Sequence, residues 1–248
     1  MKILALDSSG LVASAAILDE ESVIAEYTMN YKKTHSQTLL PMVDEIVRMT
    51  QQDLKTLDAI AVAAGPGSFT GLRIGSATAK GLGQALNKPL ISVPTLEGLA
   101  YNLFGSESII CPMMDARRKQ VYTGIYTWSD EVFQVLMDQT ACPVEEVLLD
   151  CVRYSRKADR PVILLGDGVP VYREMIGEKL AEAGTHYLFA PPHLNRQRAG
   201  AVGVRALELA REGKLETAAS HVPVYLRKSQ AERELERKKA AKAEVSDI

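Results

Sequence analysis

The spacing of apolar positions changes several times along the chain, and each change marks an element. Residues 3–6 (Ile-Leu-Ala-Leu) form a continuous apolar run that stops at Asp7-Ser8-Ser9-Gly10, a turn-forming string. Residues 12–18 and 23–29 give two more strand-like segments, with Glu20-Glu21-Ser22 as the turn between them. The opening therefore predicts an antiparallel three-stranded meander. From His35-Ser36-Gln37 the period lengthens: Leu39, Leu40, Val43, Ile46 and Val47 recur at helical intervals, which predicts an amphipathic helix over about 36–49. Residues 59–64, after Asp58, are apolar throughout, as in a strand covered on both faces. That run breaks at Gly65-Pro66-Gly67-Ser68. A second helix is expected from about 70 to 86, a strand over 89–93, and a third helix from Thr95.

The second half begins in the same order. A strand over 109–114 ends in Asp115-Ala116-Arg117-Arg118-Lys119, residues 120–128 alternate, and 132–137 make a third short strand. A helix over 143–157, a strand over 162–165 closed by Gly166-Asp167-Gly168, and helices over 171–183 and 196–212 follow. The strand-Asp-hairpin at Ile3 is echoed at Ile109 in element order, though not in residue identity. Strands and helices in this succession predict an α/β protein with mixed sheets covered by helices.

Composition narrows the classes. A chain of 248 residues with 46% hydrophobic and 24% charged residues can bury one sizeable core or two small ones. A net charge of -2 gives no global attraction to nucleic acid or an anionic membrane, so RNA contact is expected mainly through a partner. Cys111, Cys142 and Cys151 are scattered, without a CxxC pair, and are expected to be reduced and buried. No apolar run approaches the roughly 20 residues of a membrane span, and Met1 leads straight into a strand pattern rather than a leader. The expected compartment is the cytoplasm.

Among candidate chemistries, Gly65-Pro66-Gly67-Ser68-Phe69-Thr70-Gly71 carries the most information. It lies between a buried strand and a helix, where ligands bind in open α/β sheets. It has neither the Gly-Lys-Ser/Thr ending of a Walker A motif nor the GxGxxG fingerprint. Two readings remain: glycines demanded by a tight turn, or backbone N–H groups that hold a phosphate. Asp7, Gly65, Gly67 and Ser68 are the candidate nucleotide-contacting set, with Asp7 either orienting a metal or water near a phosphate or capping its own turn. In the following helix Gly71, Gly75, Ala79 and Gly83 recur every four residues and share one face. Each interior glycine costs roughly 1 kcal/mol of helix propensity, which is tolerated where another backbone must come close. The approaching element is either this chain's own sheet or a helix of another subunit. His35, His186, His193 and His221 form no HxxH, HxxxH or HExxH pair, and no GxSxG elbow is present. Arg117-Arg118-Lys119 is a small basic cluster, either solvated or a patch for a partner or RNA.

Four strings carry a family resemblance: Ile3 to Ser9, His35-Ser-Gln-Thr-Leu-Leu-Pro41, Gly65 to Gly75 and Pro223-Val-Tyr-Leu-Arg227. Together they resemble the TsaB family, formerly YeaZ, over residues 1 to about 230. The resemblance implies an actin-like, sugar-kinase-like (ASKHA) fold of two mixed-sheet subdomains. Residues 1–105 would be an N-terminal subdomain carrying the partner-binding helices, and 106–219 a smaller C-terminal one. In the final segment, 220–248, the first part would pack back on the N-terminal subdomain and a charged end over 232–242 would be a solvated helix or frayed. It also implies a non-catalytic scaffold and activator, without an intrinsic cofactor. The assembly would transfer a threonylcarbamoyl group from its adenylate to N6 of adenosine 37 in tRNAs reading ANN codons. The implied partners are a TsaD-like catalytic subunit, a TsaE-like ATPase where ATP or ADP would act, and a second copy of the chain, with tRNA met mainly through the complex. By the same resemblance the pairing surface would be built from Leu39, Val43, Val47, Gly71, Leu72, Gly75, Ala79 and Gly83. The related catalytic subunit follows its glycine-rich helix with two metal-holding histidines, whose places are taken here by Thr95 and Leu99. The rival expectation is a small-molecule kinase or ATPase of the same superfamily that uses Asp7 and the Gly65–Gly71 turn.

Overall fold

A computed structural model describes residues 1–227 with the exception of Lys32. The charged end over 232–242 lies outside the described residues. In the first half, β1 (Ile3–Asp7), β2 (Ala13–Leu18) and β3 (Val23–Met29) form the expected meander and are followed by α1 (His35–Thr50). Then come β4 (Ala59–Gly65), α2 (Phe69–Leu86), β5 (Leu90–Pro94) and the short α3 (Thr95–Ala100). The five strands make one sheet in the order β3-β2-β1-β4-β5, antiparallel in the meander and parallel from β1 through β4 to β5.

The second half repeats the plan with β6 (Ile109–Asp115), β7 (Gln120–Ser129), β8 (Val132–Pro143), α4 (Val144–Ala158) and β9 (Val162–Leu165). It continues through α5 (Gly168–Val171), α6 (Arg173–Glu182) and β10 (Tyr187–Phe189), giving the equivalent order β10-β9-β6-β7-β8. The echo noted in the sequence is thus a duplicated topology. The single helix expected over 171–183 is two, α5 and α6, and β8 runs six residues beyond the expected end at Met137.

Alternation along each strand sorts side chains into layers. Ile3 and Ala5 face α7 (Ala199–Arg211), whereas Leu4 and Leu6 face α1 and α2. In β6, Ile109, Cys111 and Met113 point to the α4–α6 side, and Ile110 and Met114 to the opposite side. There Leu96, Leu99 and Ala100 of α3 pack with Trp128, Tyr126 and Tyr101, so α3 is the wedge that joins the halves. The three cysteines are free and buried.

The placement of α7 corrects the expected boundary at 219. Val202, Ala206 and Leu209 pack on Ile3, Ala16 and Val93, so residues 199–211 belong to the first sheet's core. Arg205 on this helix is 7% exposed and reaches Glu97 of α3 at 2.7 Å. Isolated removal of such a buried partner typically costs about 3–5 kcal/mol.

Candidate functional site

The carboxyl ends of β1 and β4 lie side by side, and the turns that leave them meet. Ser68 N–H donates to the Ser9 carbonyl at 2.7 Å, the Ser68 hydroxyl accepts from Gly71 N–H at 3.3 Å, and the Ser68 carbonyl accepts from Leu72 N–H at 2.8 Å. Three backbone N–H groups at the start of α2, those of Ser68, Gly71 and Leu72, are therefore engaged within the chain. Asp7 lies beneath this junction, 1% exposed. Its Oδ1 accepts from Ser9 N–H at 2.8 Å and Ser9 Oγ at 2.6 Å, while Oδ2 has no hydrogen-bond partner. Burial pushes the Asp7 carboxyl up to about 6, against the lowering effect of the two Ser9 hydrogen bonds.

A cleft of about 540 Å³ opens between the halves beside this junction. Gly67, Ser68, Phe69 and Thr70 form one wall, and Asp115, Arg117 and Asp167 the other. The structure separates the expected nucleotide-contacting set. Gly67 and Ser68 reach the cleft, whereas Asp7 is sealed under Ser9 and Gly65 is covered. A Cβ on Gly65 would run into the Val224 carbonyl, and Gly65 N–H is taken by Thr95 Oγ1 at 3.0 Å. Gly65 also has a φ of 122°, a conformation that a side chain opposes. Asp167, across the cleft, has its carboxyl raised by burial, offset by the Asp115 N–H and Arg196.

The cover over Gly65 is the segment after α7. Glu216 pairs with Leu90 of β5, and Ser92 Oγ meets both Glu216 and Nδ1 of the buried His221. Lys80 donates to the His221 carbonyl at 2.9 Å and Val224 N–H to the Ala64 carbonyl at 2.7 Å. Tyr225 then packs on Phe69 with centroids 4.7 Å apart, and Arg73 lies 4.0 Å over the Phe69 ring. Finally Arg227 reaches across the cleft and donates to the Ala116 carbonyl at 2.6 Å.

The turn that Arg227 touches is unusual. Arg117, Arg118 and Lys119 have φ of 62°, 57° and 57°, three left-handed residues in succession, none of them glycine or asparagine. Each such residue costs about 1–2 kcal/mol, so the run holds on the order of 3 kcal/mol or more. It is fixed by Arg117 N–H to Asp115 Oδ1 at 2.9 Å, Gln120 N–H to the Arg117 carbonyl at 3.2 Å and Val144 N–H to the Lys119 carbonyl at 3.1 Å. The sequence displayed the three cations but gave no signal of this geometry.

The expected pairing surface is corrected by burial. Leu39, Val43, Leu72 and Ala79 are at most 2% exposed, and Leu39, Val43 and Ala79 fill the core under the first sheet. A Cβ on Gly71 would overlap the Ser8 carbonyl, one on Gly75 would sit 2.6 Å from Ser8 Oγ, and one on Gly83 would sit 2.9 Å from Leu90 Cδ2. The four-residue repeat therefore serves close approach of α2 to its own sheet. Val47 is half-buried. The outward face of α2 presents Arg73, Ala77 and Gly81 instead, with open space beside Gly81, and α1 exposes Leu40 (54%) and Met49 (68%) on opposite flanks of its buried stripe.

Two sheets of the same strand order with a cleft between them define the actin-like, sugar-kinase-like class of α/β proteins. The family model TsaD, tRNA N6-adenosine threonylcarbamoyltransferase, matches residues 22–235. The chain is 38% identical over 236 residues to the tRNA threonylcarbamoyladenosine biosynthesis protein TsaB of Bacillus subtilis, which covers 94% of this chain and 96% of that protein. It is 34% identical to Escherichia coli TsaB over 128 residues, 51% of this chain and 55% of that protein. The structure of YeaZ from Pseudomonas aeruginosa superposes with a TM-score of 0.76 at 28% identity, covering 91% of this chain and 99% of that one. The chain belongs to the TsaB (YeaZ) family. Among the described residues no helix is long and apolar enough to cross a membrane.

Proposed function

We propose that this chain is a non-catalytic scaffold and activator in the biosynthesis of threonylcarbamoyladenosine in tRNA, working in the cytoplasm. In this reading a TsaD-like subunit transfers the threonylcarbamoyl group from its adenylate to N6 of adenosine 37, and a TsaE-like ATPase uses the nucleotide. The observation that carries it is the use made of Thr95 and Leu99. By the family resemblance these positions match the catalytic relative's metal-holding histidines. Here Thr95 is 0% exposed and holds Gly65 N–H, and Leu99 is 1% exposed in the core between the sheets. Both side chains serve the frame, and leucine has no donor for a metal.

The pairing surface in this reading is drawn from α1 and α2, with Arg73, Ala77 and Gly81 on the outward face of α2, and a second copy of the chain would use the same surface. Small residues at the exposed positions Ala77 and Gly81 suit close helix approach. The test is tRNA modification in vitro with the chain omitted, alone, or added to the TsaD-like and TsaE-like components. Product is expected only in the complete mixture. Product from this chain alone, or full activity without it, would overturn the proposal.

A further inference from the structure

We infer that the β6–β7 turn, Arg117-Arg118-Lys119, together with Arg227, is a direct contact for the phosphate backbone of RNA. Four cations meet at one place although the whole chain carries a net charge of -2. Arg117, Arg118 and Lys119 are exposed at the tip, and Arg227 is tied to the carbonyl of the preceding Ala116. Arginine's planar, always-charged fork suits phosphate oxygens in particular.

The backbone adds a second, independent argument. The other left-handed side-chain-bearing residues are Gln51, Asn87 and Asp159 at helix ends and Asp130-Glu131 between β7 and β8. Among the described residues, only the basic turn holds three in a row. Asparagine or glycine would adopt the same turn more cheaply, so the long cationic side chains stand where the fold alone disfavours them. Strain kept in this way marks a site selected for its side chains.

The neighbouring carboxylates limit the patch without cancelling it. Asp115 accepts from Arg117 N–H and from Tyr172 O–H at 2.9 Å, which spends part of its acceptor capacity inside the chain. Glu145 and Glu146 are exposed on the first turn of α4, just after the Val144–Lys119 hydrogen bond, and bound the positive region on that side.

The choice of RNA rests on the tRNA-modification reading; the turn's geometry and charge do not. The test is the triple variant Arg117→Asn, Arg118→Asn, Lys119→Asn, with Arg227→Gln as a separate single variant. Each full chain is assayed alone and mixed with the TsaD-like subunit. Fluorescence anisotropy with labelled, unmodified tRNA transcript is recorded over a salt series, and melting temperature and pairing with the subunit are measured in parallel. The triple variant is expected to melt at the same or a higher temperature, to pair normally and to bind RNA about tenfold or more weakly. Its slope of log affinity against log salt is expected to be shallower by about 2, as for the loss of two or three phosphate contacts. Arg227→Gln should show a smaller loss of the same sign.

Unchanged affinity and slope would overturn the assignment. So would a loss of pairing that accounts for the whole effect, which would give the turn to a protein partner. A lower melting temperature would overturn the strain argument. If the chain proves dispensable for modification while the triple variant still loses RNA affinity, the functional reading fails and this inference stands.

Discussion

Two glycines in α2 are predicted to respond to alanine in opposite directions. At Gly81 a Cβ meets nothing within 4 Å, and the residue is exposed in the helix interior. Alanine there gains about 1 kcal/mol of helix propensity with no steric cost. For a chain of this size that raises the melting temperature by about 2–4 °C. At Gly71 the new methyl would overlap the Ser8 carbonyl, which is backbone and cannot rotate aside. It would also disturb the hydrogen bond from Ser8 Oγ to the Gly71 carbonyl at 2.8 Å. Overpacking of this kind costs typically about 1–3 kcal/mol, and losing a buried hydrogen bond adds about 1 kcal/mol. Set against the propensity gain, the expected net loss at Gly71 is on the order of 1–3 kcal/mol, a fall of several degrees. Thermal and urea denaturation followed by Trp128 fluorescence are suitable, because this is the chain's single tryptophan and it is buried in the core between the sheets. A Gly71→Ala chain as stable as the wild type would refute the claim that the glycine repeat serves α2's approach to its own sheet. A destabilised Gly81→Ala would refute the claim that this face is open.

The remaining predictions use other parts of the molecule. Gly81→Leu should leave the chain folded but weaken pairing with the TsaD-like subunit, read by size-exclusion chromatography with light scattering; unchanged complex formation would remove the outer α2 face from the pairing surface. Asp7 is fully buried with its carboxyl raised from 3.8 to about 6, so between those values the unfolded chain ionises first and stability falls as pH rises. The accumulated penalty is on the order of 3 kcal/mol above about pH 6, so Asp7→Asn, which still offers Ser9 an acceptor, should gain stability at neutral pH and none near pH 3. Urea midpoints across that range check this, and parallel curves for the two proteins would contradict it. Arg205→Ala should cost about 3 kcal/mol or more by leaving Glu97 unpaired, while Arg205→Met with Glu97→Leu should recover much of it; equal losses in both would assign the effect to packing.

Much of the fold is readable from periodicity because the strands are strongly patterned. Residues 59–64 are apolar without interruption, and β4 is buried along its whole length. The elements that escape are those whose apolar signal is weak or shared. Tyr187-Leu188-Phe189 pairs with β9 at the sheet edge, but it is three residues long and none of the three is buried. In α2 the four-residue spacing shows which residues share a face, yet spacing carries no information on what that face meets. Gly71 and Gly81 are the same residue in the same helix, and only the position of the Ser8 turn distinguishes them. The cleft escapes for a related reason. The Ala116 turn of its second wall and Arg227 lie 111 residues apart in the chain, joined by a hydrogen bond.

The meeting of the β1 and β4 turns explains why a kinase-type use of Asp7 is poorly served by this chain. Such chemistry needs a carboxylate at the cleft surface, free to hold a metal or water. Asp7 is instead buried under Ser9, and its Oδ1 is occupied twice. Above it, Ser9 clamps Ser68, and Val224 covers Gly65 from the other side. The Ser9–Ser68 bond trades ligand capacity at one backbone N–H before α2 for rigidity of the turn. A scaffold whose task is to present a fixed surface gains from that exchange, whereas an enzyme that must bind and release a nucleotide phosphate loses by it.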